Sequence, residues 1–176
     1  MAREITSLGA VRRPLFLLVL AVVAAGCGSG RSASTTTTAP PNPAQAAGGG
    51  RTIYHGTEWS VVVKGGQATA LQLVGGQWRP DRSGRVKVTF LGPRGTVAPV
   101  FQMAAELSAK TPLVESALWV DGVELLEKGG GTGESAKKFT IYGTPDRRLK
   151  PGRHVAVAYG RTATTGTAVA WTFRVV

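Results

Sequence analysis

The chain has 176 residues, and 21 lysines and arginines against 10 aspartates and glutamates give it a formal net charge of +11 at neutral pH. A balance this basic favours contact with anionic surfaces. The single cysteine, Cys27, excludes an intramolecular disulfide and a metal site built from several cysteines. Glycines, 24 in all, interrupt short runs rich in valine and alanine, which is typical of an all-β chain.

The first 26 residues have the features of an export signal. Arg12 and Arg13 supply positive charge, and the apolar run after them, residues 15–25, is shorter than the ~20 residues that a helix needs to span a bilayer. Small residues then lead into Cys27. Export argues against nucleic acid as the partner of this basic chain, because exported proteins leave the compartment that holds it.

The segment Ala24-Ala25-Gly26-Cys27 resembles a bacterial lipobox. The resemblance implies that the Cys27 thiol receives a diacylglycerol, that the leader 1–26 is cut before it, and that the new amine gains a fatty acid such as palmitate. Two or three acyl chains, at about 0.8 kcal/mol for each buried CH₂ group, hold a protein on a membrane. The expected location is the extracytoplasmic face of the cell membrane. The alternative is an ordinary secretory signal with an incidental cysteine.

Residues 27–50 combine Cys27 with a low-complexity stretch rich in threonine, proline and glycine. Such a composition buries little apolar surface, so it predicts a disordered tether. The layout of lipid, tether and folded domain is common among surface lipoproteins.

Residues 51–84 predict a small β-meander subdomain. Three strands are expected, at 59–64, 68–74 and 77–79, and the pairs Gly65-Gly66 and Gly75-Gly76 are hairpin signals because both positions accept positive φ. Three strands with one apolar face need a partner surface, so the meander should pack on the domain that comes after it in the chain.

Residues 85–176 predict an Ig-like β-sandwich of about seven strands separated by glycine and proline turns. The segment 98–110 is ambiguous, because it has strong helix formers but also apolar residues at period two. We favour a strand there, since its neighbours are strands. Asp121-Gly122 predicts a tight turn, and the last strand should bury Trp171 and Phe173.

Three motifs are similar to bacterial Ig-like domains of surface proteins: Val120-Asp121-Gly122, Pro151-Gly152-Arg153-His154-Val155 and Trp171-Thr172-Phe173. The resemblance covers about residues 86–176 and concerns fold much more than function. The final hairpin, residues 161–166, lacks the carboxylates that support calcium in some family members, so no metal is expected.

Catalytic patterns are missing from the sequence. His55 and His154 do not have the spacing of a metal motif, and no nucleophile elbow is present. The glycine-rich loop within residues 128–138 lacks the Gly-Lys-Ser/Thr ending of a phosphate loop. We therefore expect a protein that is not an enzyme and has no cofactor, with His154 on the surface.

Basic and aromatic side chains are the candidate binding residues. The sequence contains two basic groups, and the first is expected to gather at one end of the sandwich. The first comprises Lys137, Lys138, Arg147, Arg148, Lys150 and Arg153, and the second Arg79, Arg82, Arg85 and Lys87. The alternative is that these side chains form a solvated rim that keeps the protein soluble and binds no partner. Three tryptophans could either form a platform that stacks on a sugar or pack in the core: Trp59, Trp78 and Trp119. Of these, Trp119 is the one that we expect to be exposed.

The resulting expectation is a lipid-anchored, extracytoplasmic binding or scaffolding module of the bacterial cell envelope. Its partners would be the membrane, through acylated Cys27, and an anionic wall polymer, a glycan or another envelope protein. Two alternatives stay open. One is a glycan- or anionic wall-polymer-binding module, and the other is an accessory subunit of an envelope enzyme or transporter.

Overall fold

The computed structural model describes residues 41–125 and 137–176, and within them the protein is all-β. The predicted leader, the predicted lipidation site Cys27, the predicted tether up to residue 40 and most of the glycine-rich loop lie outside the described residues. The described residues contain one short helix, α1 (Pro43–Ala46). The strands are β1 (Arg51–His55), β2 (Trp59–Lys64), β3 (Gln67–Val74), β4 (Gln77–Pro80), β5 (Val86–Gly92), β6 (Thr96–Val97), β7 (Met103–Ala109), β8 (Glu115–Val120), β9 (Val123–Glu124), β10 (Lys138–Gly143), β11 (Gly152–Arg161) and β12 (Gly166–Val175).

Strands β5 to β12 form the predicted Ig-like sandwich. One sheet, the outer sheet, has the order β10-β7-β5, and the other, the central sheet, has the order β6-β12-β11-β8-β9. All pairs are antiparallel except β6 with β12. The ambiguous segment is strand β7, as predicted. The core between the two sheets buries side chains from both, among them Met103, Leu107, Leu118, Trp171 and Phe173.

Residues 51–80 form a four-stranded sheet in sequential order, β1-β2-β3-β4, which we call the meander. Strand β1 precedes the three strands that the sequence predicts, and a register shift between Thr52 and Tyr54 interrupts its pairing with β2. Both double-glycine turns are present, with positive φ at each glycine of Gly65-Gly66 and Gly75-Gly76.

The meander packs on the face of the central sheet that points away from the outer sheet. This second core joins residues of both layers: Trp59, Val61, Ala70, Ala117, Trp119, Val157, Tyr159 and Ala168. The central sheet is therefore covered on both faces. That explains why β11 is a nearly continuous apolar run instead of an alternating one.

The boundary of the tether differs from the prediction, because residues 41–50 belong to the folded part. The Asn42 side chain accepts a hydrogen bond from the Ala44 N–H and so begins α1, with Pro43 in its first turn. Trp78 Nε1 donates to the Pro41 carbonyl at 2.8 Å. Ala44 and Ala47 lie against Trp78 and its neighbours, so α1 covers the outer face of the meander.

Candidate functional site

Asp121 and His154 form a clamp at the end of the sandwich that carries the β8–β9 turn. Asp121 has φ of 51° and Gly122 has φ of 78°, as the predicted tight turn requires. One carboxylate oxygen of Asp121 accepts the Val155 N–H at 3.0 Å, and the other lies 2.7 Å from His154 Nδ1. His154 Nε2 lies 2.8 Å from the Lys150 carbonyl oxygen. With an acceptor at each ring nitrogen, the imidazole fits best as a cation donating both hydrogen bonds.

The clamp changes the pKa of His154. Burial lowers the pKa, but hydrogen bonds to the Asp121 carboxylate and the Lys150 carbonyl raise it and prevail, so the pKa of His154 lies above its usual 6.5. His154 is 9% exposed and stacks on Phe173 at 5.6 Å between ring centroids. The prediction of a surface histidine was wrong. The side opposite to Val155 is the interior of the sandwich, and Val155 itself faces the meander.

A groove of about 410 Å³ adjoins the clamp. Three of the predicted binding residues, Arg147, Arg148 and Lys150, line it. They do so together with three carboxylates, those of Asp121, Glu124 and Asp146. The groove therefore has mixed charge, and its cations are largely offset by neighbouring anions.

The remaining basic residues are distributed differently from the prediction. Arg153 does not line the groove but stands opposite Arg174 in the β11–β12 register, where both are exposed. Lys138 pairs with Ser108, at the end of the outer sheet remote from Gly143 and the groove. Lys137 and Lys138 thus lie at the other end of the sandwich. The alternation of residues along a single strand could not show that the basic residues lie at opposite ends of the sandwich. The chain passes from one end to the other along strand β10, which lies between them in sequence.

Trp119, the predicted exposed aromatic, is 1% exposed. Its ring lies 6.1 Å from that of Tyr54 and 6.3 Å from that of Tyr159, between the meander and the central sheet. Trp59 and Trp78 are also buried. With neither face of the indole accessible, these side chains do not provide the stacking platform that a glycan would need.

A half-buried group of polar side chains links the same two layers. Arg161 Nε donates to the Glu115 carboxylate across the β8–β11 pair. Burial and a hydrogen bond with Glu115 raise the pKa of Tyr54 to about 12. Because Tyr54 belongs to β1 and Glu115 to β8, this group fixes the meander on the central sheet.

No protein-family model and no curated protein matches this chain. The residues that the structure describes contain no cluster of three or more histidine, cysteine, aspartate or glutamate side chains suited to a metal ion. Among those same residues, no helix has the length and apolar character required to cross a bilayer.

The sequence did not reveal the clamp, and it did not show that Lys110 lies near Lys87 at the end of the β5–β7 pair. The clamp joins residues 33 positions apart, and Lys110 is an isolated charge in the chain. The one signal for the clamp was the Asp-Gly turn, which predicted a conformation but not the contacts of the carboxylate.

Proposed function

We propose that this protein is a non-catalytic binding or scaffolding module, anchored through acylated Cys27 on the extracytoplasmic face of a bacterial cell membrane. The non-catalytic part of the proposal rests on one observation: the ionisable side chains of the clamp form hydrogen bonds to other parts of the fold. Both nitrogens of His154 and both oxygens of Asp121 are hydrogen-bonded within the fold. A general acid or base needs at least one such atom directed at a substrate.

Two further ion pairs also join residues of the fold, one of them half-buried and the other at the surface. Glu115 bonds to Arg161, and Glu106 lies 3.0 Å from Lys138. The Asp81 carboxylate accepts hydrogen bonds from the Ser83 and Gly166 N–H groups. Four carboxylates, those of Asp81, Glu106, Glu115 and Asp121, are thus bonded within the fold, and three others among the described residues are exposed. Every lysine and arginine in the described part of the chain is exposed except Arg161, so exposed cations outnumber exposed anions.

That imbalance favours a second, narrower candidate, the binding of an anionic polymer of the envelope. Exposed cations without neighbouring carboxylates produce a positive surface potential, which attracts polyanions and speeds their association. The glycan alternative loses its support, because stacking on a sugar requires the exposed aromatic face that Trp59, Trp78 and Trp119 do not present. The accessory-subunit alternative remains a prediction.

The anchor is tested by changing Cys27→Ser in cells of the source organism. The wild-type protein should sediment with membranes and lose its leader, because acylation and cleavage both depend on the thiol. The Cys27→Ser protein should leave the membrane fraction or keep its leader, as judged by intact mass. Equal membrane recovery and equal processing of the two proteins would contradict a lipid anchor. The variant Thr36→Ser, in the predicted tether, serves as the matched control.

A further inference from the structure

A second groove, which we call the cationic groove, lies at the end of the sandwich that carries the β11–β12 turn. Its volume is about 630 Å³. Three cationic side chains line it, together with four that bear hydroxyl groups and no carboxylate. The lining residues are Gly84, Arg85, Lys87, Ser108, Ala109, Lys110, Thr111, Thr164 and Thr165. This differs from the groove beside the clamp, where the cations are matched by acidic side chains.

The strand register explains why the cations converge. Lys87 on β5 stands opposite Ser108 on β7, and Val86 stands opposite Ala109. Extended by one position, the same register places Arg85 opposite Lys110. Adjacent strands are ~4.8 Å apart and alternate residues along a strand are ~6.8 Å apart, so all three long side chains can reach one small anion.

The walls of the cationic groove are held by hydrogen bonds that do not involve its cations. Asp81 bonds to the N–H groups of Ser83 and Gly166, which ties the segment before β5 to the β11–β12 turn. Within that turn, the Thr162 hydroxyl accepts from the N–H groups of Thr164 and Thr165. A site whose backbone is already ordered loses less conformational entropy when it binds a ligand.

The charge in the cationic groove is not neutralised within the described part of the protein. None of Arg85, Lys87 and Lys110 takes part in an ion pair there. Lys138, on the other side of Ser108, adds positive charge that Glu106 offsets. Grouped cations of like sign repel one another, and an anion between them relieves that repulsion.

We propose that the cationic groove binds a terminal phosphate group, such as that of a phosphate monoester or of the end of a polyphosphate chain. A terminal phosphate presents three strong acceptor oxygens to three cations and several hydroxyl donors, whereas a carboxylate presents only two. The guanidinium of Arg85 can bind it through two parallel hydrogen bonds, and the ammonium groups of Lys87 and Lys110 act as point charges. The terminal phosphate belongs either to a lipid headgroup or to a phosphate-bearing polymer. This inference rests on the proposed binding of an anionic envelope polymer, and it assigns a site and a ligand chemistry to it.

The test uses the full chain, purified in a non-ionic detergent, with linear polyphosphate as the probe and polygalacturonate as a carboxylate polymer of similar length. The triple variant Arg85→Gln/Lys87→Gln/Lys110→Gln should bind polyphosphate at least about tenfold more weakly than wild type. The triple Arg147→Gln/Arg148→Gln/Lys150→Gln is the matched control, since it removes the same charge from exposed residues at the other end of the sandwich. It should weaken binding by less than about threefold.

Several results would overturn the assignment: equal losses in the two triples, no loss in either, or polygalacturonate binding as tight as that of polyphosphate. The single variant Lys110→Gln, at an exposed residue, guards against misfolding of the triple and should lower affinity by about threefold. Near-ultraviolet circular dichroism of the buried tryptophans shows whether the triple is folded, and a folded triple with unchanged affinity would count against the site.

Two further experiments are needed. One shows whether the phosphate belongs to a lipid or to a polymer, and the other shows whether the proposed function holds when the groove assignment fails. Because the proposed acyl anchor inserts into any lipid, the lipid arm compares non-ionic detergent micelles with and without phosphatidic acid. Binding that requires phosphatidic acid and is tighter than binding to polyphosphate would support a headgroup, and the reverse would support a polymer. If the protein fails to bind either phosphate probe but still sediments with envelope material stripped of protein, the cationic groove assignment fails and the proposed function stands. If it also fails to sediment, both fail.

Discussion

At the scale of single residues, Asp121 shows how one turn residue acquires a second role. Its positive φ belongs to the β8–β9 turn, while its carboxylate holds β11 through Val155 and His154. The Asp-Gly pair was enough to predict the turn. It could not predict the clamp, because the partner residues approach only after β8 and β11 have paired.

The clamp makes stability depend on pH. The pKa of His154 is higher in the folded chain than in the unfolded one, so the folded state binds the proton more tightly. This contribution is complete below about pH 6.5 and is lost as pH rises through the raised pKa. We expect the free energy of unfolding to fall across that interval, as measured by urea denaturation at a series of pH values.

Asp121→Asn should remove most of that dependence and lower the free energy of unfolding by about 1–3 kcal/mol near pH 6, because a buried imidazolium loses its charged partner. Asp146→Asn is the matched control, since it removes an exposed carboxylate from the same groove. Its pH dependence should match that of wild type. A pH profile that Asp121→Asn leaves unchanged would show that His154 is not held as a cation.

At the scale of the elements, the central sheet is the layer on which the others are assembled. The alternation of β12 correctly predicted that Trp171 and Phe173 are buried. The same use of alternation gave wrong predictions for His154 and Trp119, because it assumes that one face of the sheet is exposed to solvent. In this protein the meander covers that face. A sheet that is packed on both faces has no polar face, so the sequence of its strands does not show which side chains are exposed.

The packing of the meander can be tested at Trp119. Trp119→Ala would leave a cavity between the two layers, and truncation of a fully buried tryptophan costs about 3–5 kcal/mol. Val74→Ala, at a side chain that is 44% exposed at the end of β3, should change stability by less than about 0.5 kcal/mol. The midpoint of urea denaturation measures both. Similar midpoints for Trp119→Ala and wild type would mean that the meander does not contribute to the stability of the sandwich.

At the scale of the whole molecule, the fold was more predictable than the site. Turn signals such as Gly65-Gly66 and the period-two runs identified the strands of the sandwich and most of the meander. What the sequence could not supply was the grouping of charges. Lys137 and Arg147 are ten positions apart in the chain but lie at opposite ends of the sandwich, and Lys110 joins Lys87 only through the β5–β7 register.

The distribution of charge is the property on which the proposed anionic-polymer function depends. Carboxylates such as Glu115 and Asp81 are bonded within the fold. In the described part of the chain, the exposed basic side chains other than Lys138 make no ion pair and can attract anions from the surroundings. On the membrane-anchored module that we propose, a surface of this kind is expected to bind anionic material within reach of the predicted tether.

The most direct test of this central claim is the sedimentation of the full chain in non-ionic detergent with envelope material stripped of protein, over a series of salt concentrations. Binding through exposed cations predicts retention that falls at least about tenfold between about 50 mM and about 500 mM salt, because screening shortens the reach of each charge. Retention that is absent at low salt, or that is independent of salt, would contradict the account.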